Sequence, residues 1–135
     1  MGVTRISTPL DIAVSGLKAE SMRMNVIASN IANASTTRTP SGEPYRRQEV
    51  VMSTTSGQMS GVTVSQVAPD MASPFKRIHD LGNPDADKDG YVMMPNVDLP
   101  TEMMSMVTAS RAYQANAAVM KRHQDISDVT LELLK

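Results

Sequence analysis

Apolar residues recur at alternating three- and four-residue spacings near both ends of the chain, the pattern of helices that pack along a coiled-coil seam. The N-terminal stripe consists of Leu10, Ala13, Leu17, Met24, Ile27, Ile31 and Ala34 and is broken at Glu20. The C-terminal stripe consists of Met103, Met106, Tyr113, Ala117, Met120, Leu131 and Leu134, with polar residues at Ser110, Gln124 and Ser127. The pattern predicts two long amphipathic helices.

Capping residues locate the ends of these helices. Thr8 supplies a hydroxyl at the N-cap, Pro9 stands at the first helical position, and Asp11 lies three residues after the cap. We expect this helix to run to about Ala34, because residues 35–42 are rich in β-branched residues, Pro and Gly. The second helix is predicted to begin at Pro100, with Asp98 and Glu102 near its positive end, and to continue to Leu134.

The middle of the chain has a different pattern. Segments 48–52 and 61–67 are rich in β-branched residues and predict two short strands. Pro and Gly punctuate residues 69–95, so one or two further strands are expected at most, around residues 90–94. The predicted fold is mainly α, with long terminal helices that pack as a coiled-coil-like core and a small β module between them. We divide the chain into an N-terminal assembly helix (1–35), a β- and turn-rich module with its linker (36–98), and a C-terminal assembly helix (99–135).

The composition favours association. The 135 residues include one Phe, three Tyr and no Trp, which leaves few bulky groups to fill a core. Twelve Met residues suit interfaces with non-identical neighbours, although ordinary core packing explains them equally well. A single pair of such helices leaves apolar surface exposed, which favours packing among several chains. The alternative is a monomeric helical hairpin capped by the β module.

Several classes of function lack support in the sequence. A net charge of −1 and scattered basic residues argue against nucleic-acid binding. No apolar run exceeds four residues, too few for a membrane span or the apolar region of a signal peptide. The chain has no Cys, and His79 and His123 are isolated, so no catalytic constellation or cofactor site is predicted.

One motif is similar to a calcium loop. Asp85, Asp87, Asp89 and Gly90 occupy the spacing of the first six positions of an EF-hand loop. The twelfth position is Asn96, where a bidentate Glu is required, and Pro84 directly precedes the loop. A polar turn between strands is therefore the favoured interpretation, and no metal site is assigned.

Segments throughout the chain resemble the flagellar basal-body rod proteins. Residues 29–34 (Ser-Asn-Ile-Ala-Asn-Ala) are similar to the Asn-rich N-terminal motif of rod and hook proteins. Further matching segments are residues 44–48 with 50–51, 82–87, 90–92, 95–97, 102–103 and 109–116. The chain departs from the family at Leu10 and Met52, where an aromatic residue is common, and at Leu81, where Pro is common.

The resemblance implies a non-enzymatic subunit of the proximal rod, the drive shaft that crosses the periplasm between motor and hook. Such subunits are exported unfolded by the flagellar type III apparatus without a cleaved signal peptide. Their terminal segments, often disordered in the monomer, become packed helices on assembly with other rod proteins and further copies of the same chain. No cofactor is implied.

Within this interpretation the terminal helices supply the assembly interface. The candidate residues are Leu10, Leu17, Met24, Ile27, Asn30, Ile31, Asn33, Met106, Tyr113, Asn116, Ala117, Met120, Leu131 and Leu134. The three Asn residues are expected either to hydrogen-bond between helices and set their register, or simply to cap a helix or face water. The alternative function is a soluble oligomeric coiled-coil adaptor of the cytoplasm, unrelated to flagella.

Overall fold

Along the chain, one long helix precedes two small β-hairpins and a second long helix follows them. The computed structural model describes residues 8–55 and 60–133. The element order is α1 (Pro9–Ala32), β1 (Gln48–Thr54), β2 (Val62–Pro69), β3 (Lys76–His79), β4 (Tyr91–Met94) and α2 (Leu99–Glu132). Helices hold 48% of the described residues and strands 19%, which confirms the predicted fold class. None of the helices within the described ranges has both the length and the apolar character that crossing a membrane requires.

The helix ends follow their capping residues closely. The Thr8 N–H donates to the Asp11 carboxylate over 2.9 Å, and the Asp11 N–H donates to the Thr8 hydroxyl over 3.2 Å. This capping box and Pro9 at the first turn are as predicted. Helix α1 ends at Ala32, two residues before the expected Ala34, because Asn33 caps it with both its backbone N–H and its side-chain amide on the Ser29 carbonyl.

Helix α2 begins one residue earlier than predicted. Asp98 is its N-cap and accepts a hydrogen bond from the Thr101 N–H over 3.2 Å, so Leu99 rather than Pro100 is the first helical residue. The helix ends at Glu132 and the predicted end, Leu134, lies outside the described residues.

The strands form two separate antiparallel hairpins. In the first, β1 pairs with β2 from Gln48 opposite Pro69 to Thr54 opposite Val62, with an irregularity after Val51. In the second, β3 pairs with β4 along its whole length. The sequence located β1, β2 and β4 but not β3, whose residues carry only one β-branched side chain. Its pairing with β4 across a turn that ends at Gly90, where φ is +77°, decides its conformation.

Helices α1 and α2 pack antiparallel. Gly16 lies against Asn116, whereas Asn30 hydrogen-bonds Glu102, so the two helices run in opposite directions. Ala13, Ala19 and Ala109 are buried and let the helices approach closely. A Cβ atom at Gly16 would lie only 2.7 Å from Nδ2 of Asn116, so the contact at this point depends on glycine.

The β1–β2 hairpin lies against α1. The Ser15 hydroxyl donates to the Ile12 carbonyl over 2.7 Å and accepts from the Val62 N–H over 3.0 Å. A Cβ atom at Gly61 would lie 2.5 Å from the Ser15 oxygen, so the hairpin is held at close range. The hairpin thus covers a side of α1 that α2 leaves open.

The Gly16–Asn116 contact predicts a coupled effect on stability. Gly16→Ala should raise the free energy of unfolding by up to about 1 kcal/mol in an Asn116→Ala background, through helix propensity alone. With Asn116 present, the same change should give a smaller gain or a loss, because the new Cβ meets the amide. Urea unfolding, followed by circular dichroism, gives the free energy of unfolding of the parent, both single variants and the double variant. Equal effects in both backgrounds would contradict the close contact.

Candidate assembly surface

A buried polar cluster joins both helices to the β module. It consists of Asn30 on α1, Arg47 and Gln48 at the start of β1, and Glu102 on α2. Glu102 is 0% exposed and Asn30 is 1% exposed. The Asn30 amide donates to the Glu102 carboxylate over 3.1 Å, and Arg47 Nε donates to the other carboxylate oxygen over 2.5 Å. Glu102 therefore has a partner at each oxygen, as a buried carboxylate requires.

Asn30 also completes the hydrogen bonding of the chain at β1. Its amide nitrogen donates to the Gln48 carbonyl, and its side-chain oxygen accepts from the Gln48 N–H, both over 2.9 Å. The Tyr45 hydroxyl donates to the same oxygen over 3.0 Å. One side chain of α1 thus binds the strand in the manner of a neighbouring strand, which fixes β1 on the helix.

Arg47 is the cation at the centre of several carboxylates. Besides Glu102 it contacts Glu49, and its guanidinium lies 3.7 Å from Asp70. Burial lowers the pKa of Arg47, but its hydrogen bonds and charge pairing with Glu102 and Glu49 outweigh that effect and raise the pKa overall. The group is a permanent positive charge that balances the buried Glu102.

Asn96 fixes the neighbouring part of the module. Its side-chain oxygen accepts from the Arg47 N–H over 2.8 Å, and its amide nitrogen donates to the carbonyls of Asp70 and Ser73 over 3.2 Å. The side chain is buried, so these bonds replace those it would make with water. Two Asn residues therefore hold two successive backbone positions where β1 begins.

The candidate interface residues fall into three groups in the structure. Ile27 and Asn30 are buried between elements of the same subunit. Tyr113 and Leu131 are exposed. Half-buried positions are Leu10, Leu17, Met24, Ile31, Asn33, Met106, Asn116, Ala117 and Met120. Leu134 lies outside the described residues. Their role in assembly stays a prediction.

The sequence pointed to only part of the polar cluster. Asn30 was expected either to hydrogen-bond between helices or to cap a helix or face water, and in the structure its amide donates to Glu102 of α2. Glu102 was expected only as a favourable charge near a helix start, and Arg47 and Asn96 had no assigned role. A signal was present: Glu102 precedes Ala109 by seven residues, which places the carboxylate on the same, inward side of α2.

Helix α2 carries a second apolar surface that faces away from α1. We call it the outer face of α2, and its exposed residues are Met103, Met104, Val107, Val119, Ile126, Val129 and Leu133. Because Asn116 lies against Gly16 and α1 begins at Pro9, α2 continues past the start of α1 after about His123. Every residue from Gln124 to Leu133 is exposed. The seven exposed apolar residues of the outer face lie on one side of α2, an arrangement typical of interaction surfaces.

The calcium-like segment is a hydrogen-bonded turn. Asp87 accepts from the N–H groups of Tyr91 and Asp89, and from Arg77 over 3.0 Å. These contacts, the Tyr91 N–H foremost, lower the pKa of Asp87. Asp85 accepts from the Thr37 hydroxyl over 2.6 Å. Across residues 8–55 and 60–133, no three His, Cys, Asp or Glu side chains are grouped so that they could hold a metal ion.

Comparison with known proteins identifies the class of this chain. Residues 10–38 match the family described as "Flagella basal body rod protein", and residues 88–133 match "Flagellar basal body rod FlgEFG protein C-terminal". These segments contain nearly all of α1 and the whole of α2. The helices that carry the polar cluster and the outer face of α2 are therefore those of flagellar rod proteins, which are structural and not known to be enzymatic.

Curated relatives narrow the assignment. The flagellar basal-body rod protein FlgC of Yersinia enterocolitica is 46% identical over 126 residues, which cover 91% of this chain and 93% of the relative. Those of Agrobacterium fabrum and Borreliella burgdorferi are 40% and 38% identical and cover 96% and 93% of this chain, respectively, and 96% and 95% of the relatives. The chain belongs to the FlgC family of flagellar basal-body rod proteins. Its assignment as a structural rod component is thereby confirmed, and the cytoplasmic adaptor is not supported.

Removing Glu102 alone should strongly destabilise the fold. Glu102→Leu leaves Arg47 without its main partner and Asn30 with an unsatisfied donor. We expect a loss of about 2–3 kcal/mol, below the full value for a buried pair because Arg47 is partly solvated. The measurement is urea unfolding, with the exposed Glu132→Leu as the matched control. A loss no larger than that of the control would contradict the role of the cluster.

The N-cap of α2 predicts a dependence on pH. The pKa of Asp98 is lowered, first by the Thr101 hydroxyl and N–H and then by Lys76, whose ammonium lies 3.6 Å away. A lowered pKa means that this stabilisation is present above the unfolded value, about 3.9, and is lost as the pH falls through the folded value. Asp98→Asn, which still caps the helix, should therefore lose less stability between pH 5 and pH 3 than the parent, by urea midpoints. Parallel pH curves would exclude this contribution.

Proposed function

We propose that this chain is a subunit of the proximal rod that assembles with other rod proteins and with further copies of itself through its terminal helices. As a rod-family member it assembles with other flagellar rod components, and the proposal adds which surfaces do so. The observation that carries it is the outer face of α2. Apolar side chains exposed along so much of one helix are stable in water only at a cost that packing against neighbours removes.

None of the candidate residues from the sequence is among those of the outer face of α2, and the described ones add to the proposed interface in different ways. Tyr113 and Leu131 are exposed and available to a neighbouring subunit, and the half-buried Leu17 and Met24 lie at the edge of the helix pair. Ile27 is buried inside its own subunit, so Ile27→Asp would test folding of the helix pair before it tests assembly. The proposed interface therefore centres on α2.

The proposed location of the subunit is the part of the rod that crosses the periplasm. Torque would pass from the motor to the hook through many contacts of this kind. We further propose that the chain travels unfolded through the flagellar type III export apparatus, without a cleaved signal peptide. A chain that lacks Cys passes between reducing and oxidising compartments without thiol chemistry. The division into an N-terminal assembly helix (1–35), a β module (36–98) and a C-terminal assembly helix (99–135) belongs to the same proposal, with α1 and α2 as the assembling parts.

A charge on the outer face of α2 should block incorporation into the rod. Met104 is 74% exposed, so Met104→Asp leaves the fold of the subunit intact while it places a charge in an interface where it has no partner. The matched control is Leu81→Asp, because Leu81 is 77% exposed on the β module. The amount of each protein in isolated basal bodies, measured by immunoblot at equal expression, and swimming motility are the readouts.

We expect Met104→Asp to be absent from basal bodies and non-motile, and Leu81→Asp to behave as the parent does. Circular dichroism of the purified proteins verifies equal helix content. Normal incorporation of Met104→Asp would contradict the proposed interface. Loss of Leu81→Asp alone would move the interface to the β module.

A further inference from the structure

Several small residues are buried in the helix pair. Gly16 of α1 lies against Asn116 of α2, and Ala13, Ala19 and Ala109 are buried. Small side chains form shallow ridges and grooves, which resist an axial slip of one helix along the other less than interlocking bulky side chains do. This surface alone therefore favours close packing without strongly favouring one axial position.

Two contacts distinguish the observed position from its neighbours. At one end the Asn116 side chain fills the gap that Gly16 leaves. At the other end Glu102 reaches Asn30 and Arg47. A slip of seven residues moves Glu102 about 10.5 Å along the helix axis, beyond the reach of both partners. A buried carboxylate without partners is far less stable than the paired one, so the polar cluster penalises every slipped position.

The same cluster also fixes the position of α2 relative to the β module. Asn30 is held by the backbone of Gln48, and Arg47 is held at its N–H by Asn96. Glu102 is therefore bound by Asn30 of α1 and by Arg47 directly before β1, which do not move independently. The axial position of α2 is therefore fixed relative to both α1 and β1.

We propose that the Asn30–Arg47–Glu102 cluster is a register lock, which sets the axial position of α2 relative to α1 and β1. The lock determines how far α2 extends beyond the start of α1, and so where Ile126, Val129 and Leu133 are presented. The lock rests on contacts within one subunit. Only its consequence for assembly rests on the proposed function.

Disulfide formation in the purified full-length chain measures this register, because the chain has no Cys of its own. The pair Gly16→Cys and Asn116→Cys reports the observed register, since these positions touch. The pairs Gly16→Cys with Ala109→Cys and Gly16→Cys with His123→Cys report slips of seven residues in either direction. In the observed register, Ala109 and His123 each lie about 10 Å or more from Gly16 along the helix axis, too far for a disulfide.

The lock is removed by the double variant Arg47→Leu, Glu102→Leu, which keeps the hydrogen bonds of Asn30 to the Gln48 backbone. Replacing a buried ionic pair by apolar residues of similar size is often neutral for stability, so helix content should be retained. With three positions equally favoured, the yield of the observed-register disulfide should fall about threefold and both slipped disulfides should appear. Glu102→Gln in the same reporters, which keeps the volume and the Asn30 contact, should give a smaller redistribution.

Unchanged disulfide yields in the double variant, with helix content retained, would overturn the lock, because the remaining helix contacts would then set the register without it. Loss of helix content in the double variant would overturn it also, since the cluster would then be required for folding itself. The measurement uses isolated subunits, so it is independent of whether Met104→Asp blocks incorporation into the rod.

Discussion

The fold depends on the requirement that a buried carboxylate be fully paired. Glu102 lies inside the molecule without solvent contact, and its partners come from two different segments, Asn30 on α1 and Arg47 directly before β1. Because the loss of either partner leaves a polar group unsatisfied, the helices and the β module are mutually dependent. The hydrogen bonds of Asn30 to the Gln48 backbone extend this dependence to the position of the whole strand.

The apolar packing has a different role. The buried apolar residues of the two helices are Ala13, Ala19, Ile27 and Ala109, most of them small, so they remove little apolar area from water. Many larger apolar side chains lie exposed on the outer face of α2. This arrangement is appropriate to a rod subunit. Polar contacts and the close approach of the two helices define the interior of the monomer, and the bulky apolar side chains on its surface are available to neighbouring subunits.

The β module gives the helices a fixed reference. Its first hairpin lies on α1 through Ser15 and Gly61, and Asn96 holds the chain where β1 begins. The second hairpin is closed by a turn in which Asp87 binds backbone N–H groups and Arg77. The resemblance of that turn to a calcium loop comes from the same preference of Asp for tight turns that cation loops use.

The sequence by itself determined those features that depend on neighbouring residues along the chain. The capping box at Thr8, the proline-led start of α2, the strands β1, β2 and β4, and the family motifs are all local, and each was predicted to within two residues where its bounds are described. Local patterns singled out Asn30 as a polar residue of the N-terminal helix but left open whether it bonds between helices or faces water.

Only the tertiary structure decided which partner each side chain has. The burial of Glu102 requires Arg47, which is 55 positions away in the chain, and the spacing of neither residue shows that they meet. Strand β3 exists because β4 lies beside it, and Ile27 is enclosed by its own subunit because α2 returns antiparallel. Contacts between distant segments depend on the path of the whole chain, so periodicity along one helix predicts an apolar side but not what covers it.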